Sequence, residues 1–321
     1  MLSSKTRGKK TTMSCPFFNI CGGCKFDFSN ENYRDEKIKT LPKIDFTNEP
    51  IWGQAGTRRR ADFAFVDGHF GFYKKQSKDI VDIKSCPNLC NEINAVIPFL
   101  AKLKWTGAGS VLVTKCENGI DVAVDSDVSY FSAEFRQSVE KLPPQIIRFT
   151  WNDKTVRKYA EPEIRFNDKI VNYPPHAFLQ PTIETEQILR DLVVENVGDA
   201  KHVADLFCGL GNFTFATKAT GFDIVGNGVK RDLFKKPLSV KNLEQYDVVI
   251  MDPPRAGAQK QSKELSKSNV KKIIYISCNP ETFVKDCAVL QSGGYKIETI
   301  FPIDQFVGSA HWEIFSVLKK N

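Results

Sequence analysis

The chain of 321 residues contains no run of about 18 apolar residues, the length a membrane-spanning helix needs, so no membrane span is expected. Its start, Met1 to Ser14, is basic and rich in Ser, Thr and Lys. It lacks the apolar middle of a secretory signal and reads as a disordered tail. There is no internal repeat and no complete G-x-G-x-x-G, which lowers the case for a nicotinamide dinucleotide. Acidic residues are in modest deficit, 38 against 45 basic ones, for a formal net charge of +7. That balance permits an anionic partner such as RNA without demanding one. Apolar residues are not scarce. They make up 41% of the chain and include 24 Phe, enough for real cores, and the length suits about two domains.

Nine cysteines are many for a chain without an export signal. Disulfides are disfavoured in that setting, and metal binding or catalysis becomes the better reading. Cys15, Cys21 and Cys24 form a tight group, Cys86 and Cys90 follow, and Cys278 sits alone in a motif near the end. Three thiolates this close can share one inorganic centre. Cys86, in Lys84-Ser-Cys-Pro87, is the natural fourth ligand, with Cys90 as its rival. A [4Fe–4S] cluster and an all-cysteine zinc site both need four cysteines, and spacing does not choose between them.

Three regions follow one another. The cysteine-rich region covers 15–40. From 41 to 164, short alternating segments such as Arg60 to Val66 and His69 to Tyr73 read as antiparallel strands, and Asn91 to Leu103 as a helix. From 165 to 321, Pro181 to Val197 reads as a helix. His202 to Phe207, Tyr246 to Met251, Lys272 to Ile276, Tyr295 to Ile303 and Glu313 to Leu318 read as strands. Strands alternating with helices predict an α/β, doubly wound parallel sheet, whose ligands bind beyond the carboxyl ends of the strands.

Most of the conspicuous residues fall at those ends. Asp205-Leu-Phe-Cys-Gly-Leu-Gly-Asn-Phe213 places a glycine-rich turn after a buried strand, where backbone can approach a ligand closely. Asp252-Pro-Pro-Arg255 ends a second strand; an aromatic after the prolines would suit methylation of exocyclic amines, and Arg255 disfavours it. In Ser277-Cys-Asn-Pro280, Asn279 suits a helix N-cap and Pro280 the first helical position. Cys278 would then sit beside a helix N-terminus, which favours the thiolate. Glu313, in His311-Trp-Glu, opens the last strand and suits a general base. The runs Arg58-Arg-Arg60 and Lys74-Lys75 are candidates for phosphate contacts, with ordinary solvated surface as the bland alternative.

The Cys15/Cys21/Cys24/Cys86 pattern, Phe178-Leu-Gln180, Asp205-Leu-Phe-Cys-Gly, Asp252-Pro-Pro-Arg, Ser277-Cys-Asn-Pro and His311-Trp-Glu occur here in one order over nearly the whole chain. Together they resemble the RNA uracil-C5 methyltransferase family, in its shorter ribosomal-RNA type without an N-terminal TRAM β-barrel. The resemblance implies a class I S-adenosylmethionine-dependent methyltransferase domain (Rossmann-like, seven-stranded), a central β-rich RNA-binding domain and an N-terminal iron–sulfur region. It implies a [4Fe–4S] cluster on Cys15, Cys21, Cys24 and Cys86. S-adenosylmethionine would lie against Gln180, Phe207, Asn212 and Asp252, with Asp223 toward its ribose. Cys278 becomes the nucleophile that adds to uracil C6, and Glu313 the base that removes the C5 proton. Ribosomal RNA ahead of transfer RNA, a cytoplasmic location and no obligate protein partner complete the expectation.

One stretch departs from the pattern. Only Gly226 and Asn227 separate Gly221 to Val225 from Gly228 to Leu233, whereas parallel neighbours need a crossover of about a dozen residues. The sequence therefore predicts the loss of roughly one strand-helix unit, exposed apolar edges and weakened cofactor binding. Asp232 would then be the surviving third-strand carboxylate. The competing functional expectation is a decayed relative that binds RNA and an iron–sulfur cluster without methyl transfer. A zinc-binding structural protein is the remote third.

Overall fold

The computed structural model describes residues 14–320, so the basic tail expected over 1–14 lies, apart from Ser14, outside the described residues. The cysteine-rich start leads into a short helix α1 (Tyr33–Ile38) and a two-residue strand β1 (Ile51–Trp52). Then follow β2 (Arg60–Val66), β3 (His69–Tyr73), β4 (Ile80–Val81), α2 (Asn91–Leu100), β5 (Ala108–Lys115), β6 (Ile120–Ser126), α3 (Ala133–Glu140), β7 (Ile146–Trp151) and β8 (Lys154–Lys158). These strands form one sheet in the order β4-β3-β2-β5-β6-β7-β8, antiparallel except at β6/β7.

Period-2 alternation gives the sheet two unlike faces. Ala61, Phe63 and Phe65 of β2 join Val111, Val113, Val122 and Val124 beneath α2 and α3, around the stacked rings of Trp105 and Trp151. The opposite face carries Arg60, Asp62, Thr114, Asp121, Asp125, Arg148 and Thr150. The segment 173–180 runs over it. Arg148 donates to the Tyr173 carbonyl at 2.8 Å, and the Tyr173 hydroxyl meets Thr114 at 3.3 Å.

A hairpin, β9 (Glu163–Phe166) and β10 (Lys169–Asn172), precedes the second domain. There the chain forms α4 (Ile183–Val197), β11 (Val203–Leu206), α5 (Asn212–Thr217), β12 (Thr220–Asp223), β13 (Val229–Lys230), α6 (Val240–Leu243) and β14 (Val248–Met251). It ends with α7 (Gln259–Lys267), β15 (Lys272–Ser277), α8 (Pro280–Ser292), β16 (Tyr295–Asp304) and β17 (Glu313–Lys320). The sheet runs β1-β16-β17-β15-β14-β11-β12-β13, with β17 antiparallel to both neighbours. One face packs on Leu265, Phe283 and Leu290 of α7 and α8, and the other on Leu189 and Val193 of α4. This is the doubly wound arrangement expected from the alternating pattern.

Two boundaries differ from expectation. Residues 41–52 do not join the β-rich domain. Ile51 and Trp52 pair with Ile303 and Asp304 of β16, and Ile44 and Phe46 pack on the second domain's core. Residues 17–22 lie against β3 and the β-rich core, residues 25–52 lie on the second domain, and the chain then enters the β-rich domain proper before returning. Lys37 of α1 pins the 25–52 segment by a buried ion pair with Asp304, whose other oxygen accepts from the Tyr33 hydroxyl at 2.8 Å.

The second difference concerns the shortened stretch. β12 and β13 do pair in parallel, Phe222 with Val229 and Asp223 with Lys230. β13 is two residues long, and no helix lies between it and β12. A two-residue partner requires the chain to double back by only about 7 Å, which a loop can do without a helix. Residues 224–228 make that return, with Gly226 in the left-handed region at φ +84°. Ile224, Val225 and Val229 are exposed by 54, 63 and 54%. No helix among the described residues is long and apolar enough to cross a membrane.

Candidate active site

Three strand ends converge at the carboxyl edge of the second sheet. Cys278 follows β15 directly and sits against the N-terminus of α8. Asn279 caps that helix, its side-chain oxygen accepting from Glu281 N at 3.2 Å, with Pro280 in the first turn. Asn279 Nδ2 also donates to the Arg255 carbonyl at 2.8 Å, and the Thr282 hydroxyl reaches the same oxygen at 3.3 Å. The Asp252-Pro-Pro-Arg loop is thereby tied to the helix that carries the cysteine. The expectation that the helix end favours a thiolate is not met. Burial pushes the Cys278 thiol up to about 12, Glu313 and Asp252 push the same way, and Arg255 opposes them. A helix terminus contributes about 1 kcal/mol or less at such a site, too little to offset burial beside two carboxyl groups.

Glu313 opens β17 and is fully inside the protein, and Asp252, after β14, is half-buried. Burial, with Asp252 adding repulsion, raises the Glu313 carboxyl well above the usual range, and burial lifts Asp252 to about 7. Two amides join them. Gln180 Nε2 donates to Asp252 Oδ2 at 3.0 Å. Gln305 Nε2 donates to Gln180 Oε1 at 2.7 Å and to Glu313 Oε2 at 3.1 Å. Gln180 was marked by its motif, whereas Gln305 carries no sequence signal beyond lying near His311-Trp-Glu313.

The glycine-rich turn follows β11. Phe207 adopts φ +64°, a strained conformation for a non-glycine residue, and its ring meets Phe234 at 5.4 Å. A Cβ on Gly209 would face open space, so a ligand can approach the backbone there. Asn212 Oδ1 accepts from Arg190 Nε at 2.7 Å, and its Nδ2 is buried without a partner. Such an orphaned donor beside an open glycine turn fits a ligand acceptor.

Asp223 stands at the end of the second strand, as expected, but its carboxylate accepts from Gly209 N at 2.9 Å and from Ile224 N at 2.6 Å. The loop after it lies on the turn: Asn227 Nδ2 donates to the Leu210 carbonyl, and a Cβ on Gly226 would stand 1.8 Å from the Gly209 oxygen. Asp232 is used locally, accepting from Phe234 N and Lys235 N at 3.1 Å.

Asp205, inside β11, is fully buried and lifted by burial to about 7, although Thr214 donates to it at 2.6 Å. A carboxyl raised in the folded state contributes stability that is complete below its unfolded value near 4 and is lost as pH rises through about 7. Asp205→Asn should therefore stabilise the protein at pH 8, by at most about 4 kcal/mol, and change little at pH 4. Urea unfolding at the two pH values checks this; equal effects at both would contradict it.

In the first domain, Cys15, Cys21, Cys24 and Cys86 line one cavity of about 230 Å³ with Phe17, Phe28, Phe72 and Arg58. Burial pushes the Cys24 thiol up to about 12, and Cys86, Cys21 and Cys15 add to the rise. Cys90 does not line the cavity; it is buried in the core at the start of α2. Among the described residues, no three His, Cys, Asp or Glu side chains converge closely enough to hold a single metal ion.

The three arginines of Arg58-Arg-Arg60 have separate fates. Arg58 lines the thiol cavity. Arg59 is buried in an ion pair with Glu186 of α4, and Glu186 also accepts from Arg190. Arg60 lies over the Phe178 ring at 5.6 Å. Arg58 and Arg59 also hold the segment leading to Gln180: Arg59 N donates to the Pro181 carbonyl, and Arg58 bridges to Thr182. Lys74 pairs with Asp79, while Lys75 is exposed.

With this geometry in place, comparison with known proteins is decisive. A family model described as tRNA (Uracil-5-)-methyltransferase matches residues 228–321. A Brucella suis protein named "uncharacterized RNA methyltransferase" is 35% identical, covering 96% of this chain and 84% of its own length. The chain belongs to the RNA uracil-C5 methyltransferase family. Within that family, the 23S rRNA (uracil(1939)-C(5))-methyltransferase RlmD of Erwinia tasmaniensis is 26% identical, covering 93% of this chain and 80% of its own length. The Pyrococcus abyssi tRNA (uracil-54, C5)-methyltransferase, solved with S-adenosyl-L-homocysteine, superposes with a TM-score of 0.69 at 21% identity. It covers 89% of this chain and 82% of that one, and shows the shared class I methyltransferase fold. The alignment with the Brucella methyltransferase spans 349 positions, more than the 321 residues present here, so that relative carries segments this chain lacks.

Proposed function

We propose that this methyltransferase modifies uridine at C5 in ribosomal RNA through a covalent bond between Cys278 and uracil C6. The observation that carries the reading is the convergence of Cys278, Glu313 and Asp252 at the ends of three adjacent strands, β15, β17 and β14. Uracil C5 is a weak nucleophile. Addition of the Cys278 sulfur to C6 breaks the C5–C6 double bond and places the electron pair on C5 and O4. The thiol proton passes to solvent as the base docks, and the thiolate adds. S-adenosylmethionine, when bound, supplies the methyl group to C5, and Gln180, Phe207, Asn212 and Asp252 would hold it, the orphaned Asn212 Nδ2 being its best-placed donor. Glu313 then takes the C5 proton, the double bond re-forms and Cys278 departs as thiolate.

The target base has to leave its stack to meet Cys278. Phe178, 62% exposed two residues before Gln180, offers a stacking surface for RNA bases. The ribosomal substrate rests on the sequence relationship to RlmD. We further propose a [4Fe–4S] cluster on Cys15, Cys21, Cys24 and Cys86. What supports it is that the four cysteines line one cavity, as the resemblance would place them.

The test is transfer of labelled methyl groups to unmodified ribosomal and transfer RNA. The expected result is incorporation into ribosomal RNA as 5-methyluridine, abolished by Cys278→Ala. RNA binding without incorporation by the wild-type protein would establish the non-catalytic alternative instead.

A further inference from the structure

Gln305 lies in the turn between β16 and β17 and is only 2% exposed. Both of its amide hydrogens are spent, one on Gln180 Oε1 and one on Glu313 Oε2. With Gln180 donating to Asp252, the two amides form a continuous bridge between the carboxyl groups of the site. Gln305 Oε1 is buried without a partner. The amide direction is self-consistent. Reversed, it would set its oxygen against the oxygens of Gln180 and of an ionised Glu313. Gln305 thus donates to Glu313, a contact that favours the ionised form against the burial and the Asp252 repulsion that raise the carboxyl.

We propose that Gln305 is the positioning residue for the general base: by holding Glu313 Oε2, it leaves Oε1 as the oxygen that takes the proton from C5. This rests on the reading of Glu313 as base given above. In the step concerned the C5–H bond breaks, its electron pair re-forms the C5–C6 double bond, the C6–S bond breaks with the pair going to sulfur, and the proton ends on Oε1. The charged or titratable groups facing Glu313 are Asp252 and Cys278. Neither donates to Oε2, so the amide is the hydrogen bond there that favours the ionised form.

Gln305→Met keeps the length of the side chain and removes both donors. With full-length protein and the ribosomal RNA substrate, the first methyl transfer should fall less than product release. Product release should slow roughly ten- to hundredfold, the effect of losing a hydrogen bond to a charged group. A protein–RNA adduct stable to denaturant should accumulate. The acid limb of the release rate should move to higher pH, because loss of the donor makes Glu313 harder to ionise. Gln305→Asn, which keeps the amide but cannot span both partners, should shift the same readouts in the same direction and guards against misfolding of the first variant. Wild-type release, no adduct and an unmoved acid limb in folded Gln305 variants would overturn the proposal. Absence of an adduct with Glu313→Gln would overturn the assignment of the base itself.

Discussion

Glu313→Gln should perform one methyl transfer and then hold the RNA covalently on Cys278. The substitution preserves shape, and the side-chain oxygen can still accept from Gln305 Nε2. It removes the only property the last step needs, a basic oxygen. General-base catalysis is worth roughly 10²–10⁴-fold, so turnover should fall by that order. The earlier step should not suffer. Glu313 is one of the groups that push the Cys278 thiol up, so neutralising it makes the nucleophile easier to deprotonate. A denaturing gel of the variant with labelled methyl donor and ribosomal RNA should show protein, RNA and label migrating together. Rapid turnover with no trapped species would exclude Glu313 as the base.

Glu186→Ala should be the most destabilising single truncation between the two domains. Glu186 is buried between two buried arginines, Arg59 from the β-rich domain and Arg190 from its own helix. Removing the carboxylate leaves both guanidinium groups buried without their counter-charge, which costs about 3–5 kcal/mol. Arg190 also orients Asn212 through its Nε, so cofactor affinity should fall with stability. Urea unfolding checks the first effect and calorimetric titration with S-adenosylhomocysteine the second. A loss below about 1 kcal/mol, the worth of a surface pair, would show that water reaches the arginines.

Much of the site was legible because its chemistry is local. Asn279-Pro280 marks a helix start by capping alone, and Cys278 had to lie beside it. Strand ends at Asp252 and Ser277 follow from short apolar runs that stop at prolines or a cap. The Gln305 contact was not legible, since a glutamine in a loop gives no periodic signal, and its partners lie 125 residues away at Gln180 and 8 away at Glu313. The arginine run misled for a related reason. Only Arg60 lies in β2, and Arg58 and Arg59 precede it in irregular chain packed on other segments, so the three reach a thiol cavity, a buried glutamate and an aromatic ring instead of one phosphate.

The sequence alone determined the doubly wound class, the order of the motifs, the place of Cys278 at a strand end beside a helix start, and the group of cysteines that could share one centre. Periodicity, capping and spacing act over a few residues and survive without knowledge of the fold. Tertiary structure decided three things. It paired the two-residue β13 in parallel with β12, because so short a pairing needs no helical crossover. It folded the loop 224–228 onto the glycine turn, engaging Asp223 with Gly209. It also brought Cys278, Asp252 and Glu313 together, where burial and the neighbouring carboxyl groups push the thiol up against the helix end that favours a thiolate. Each depends on which groups meet in space and how far water is excluded, and neither property is written in residue order.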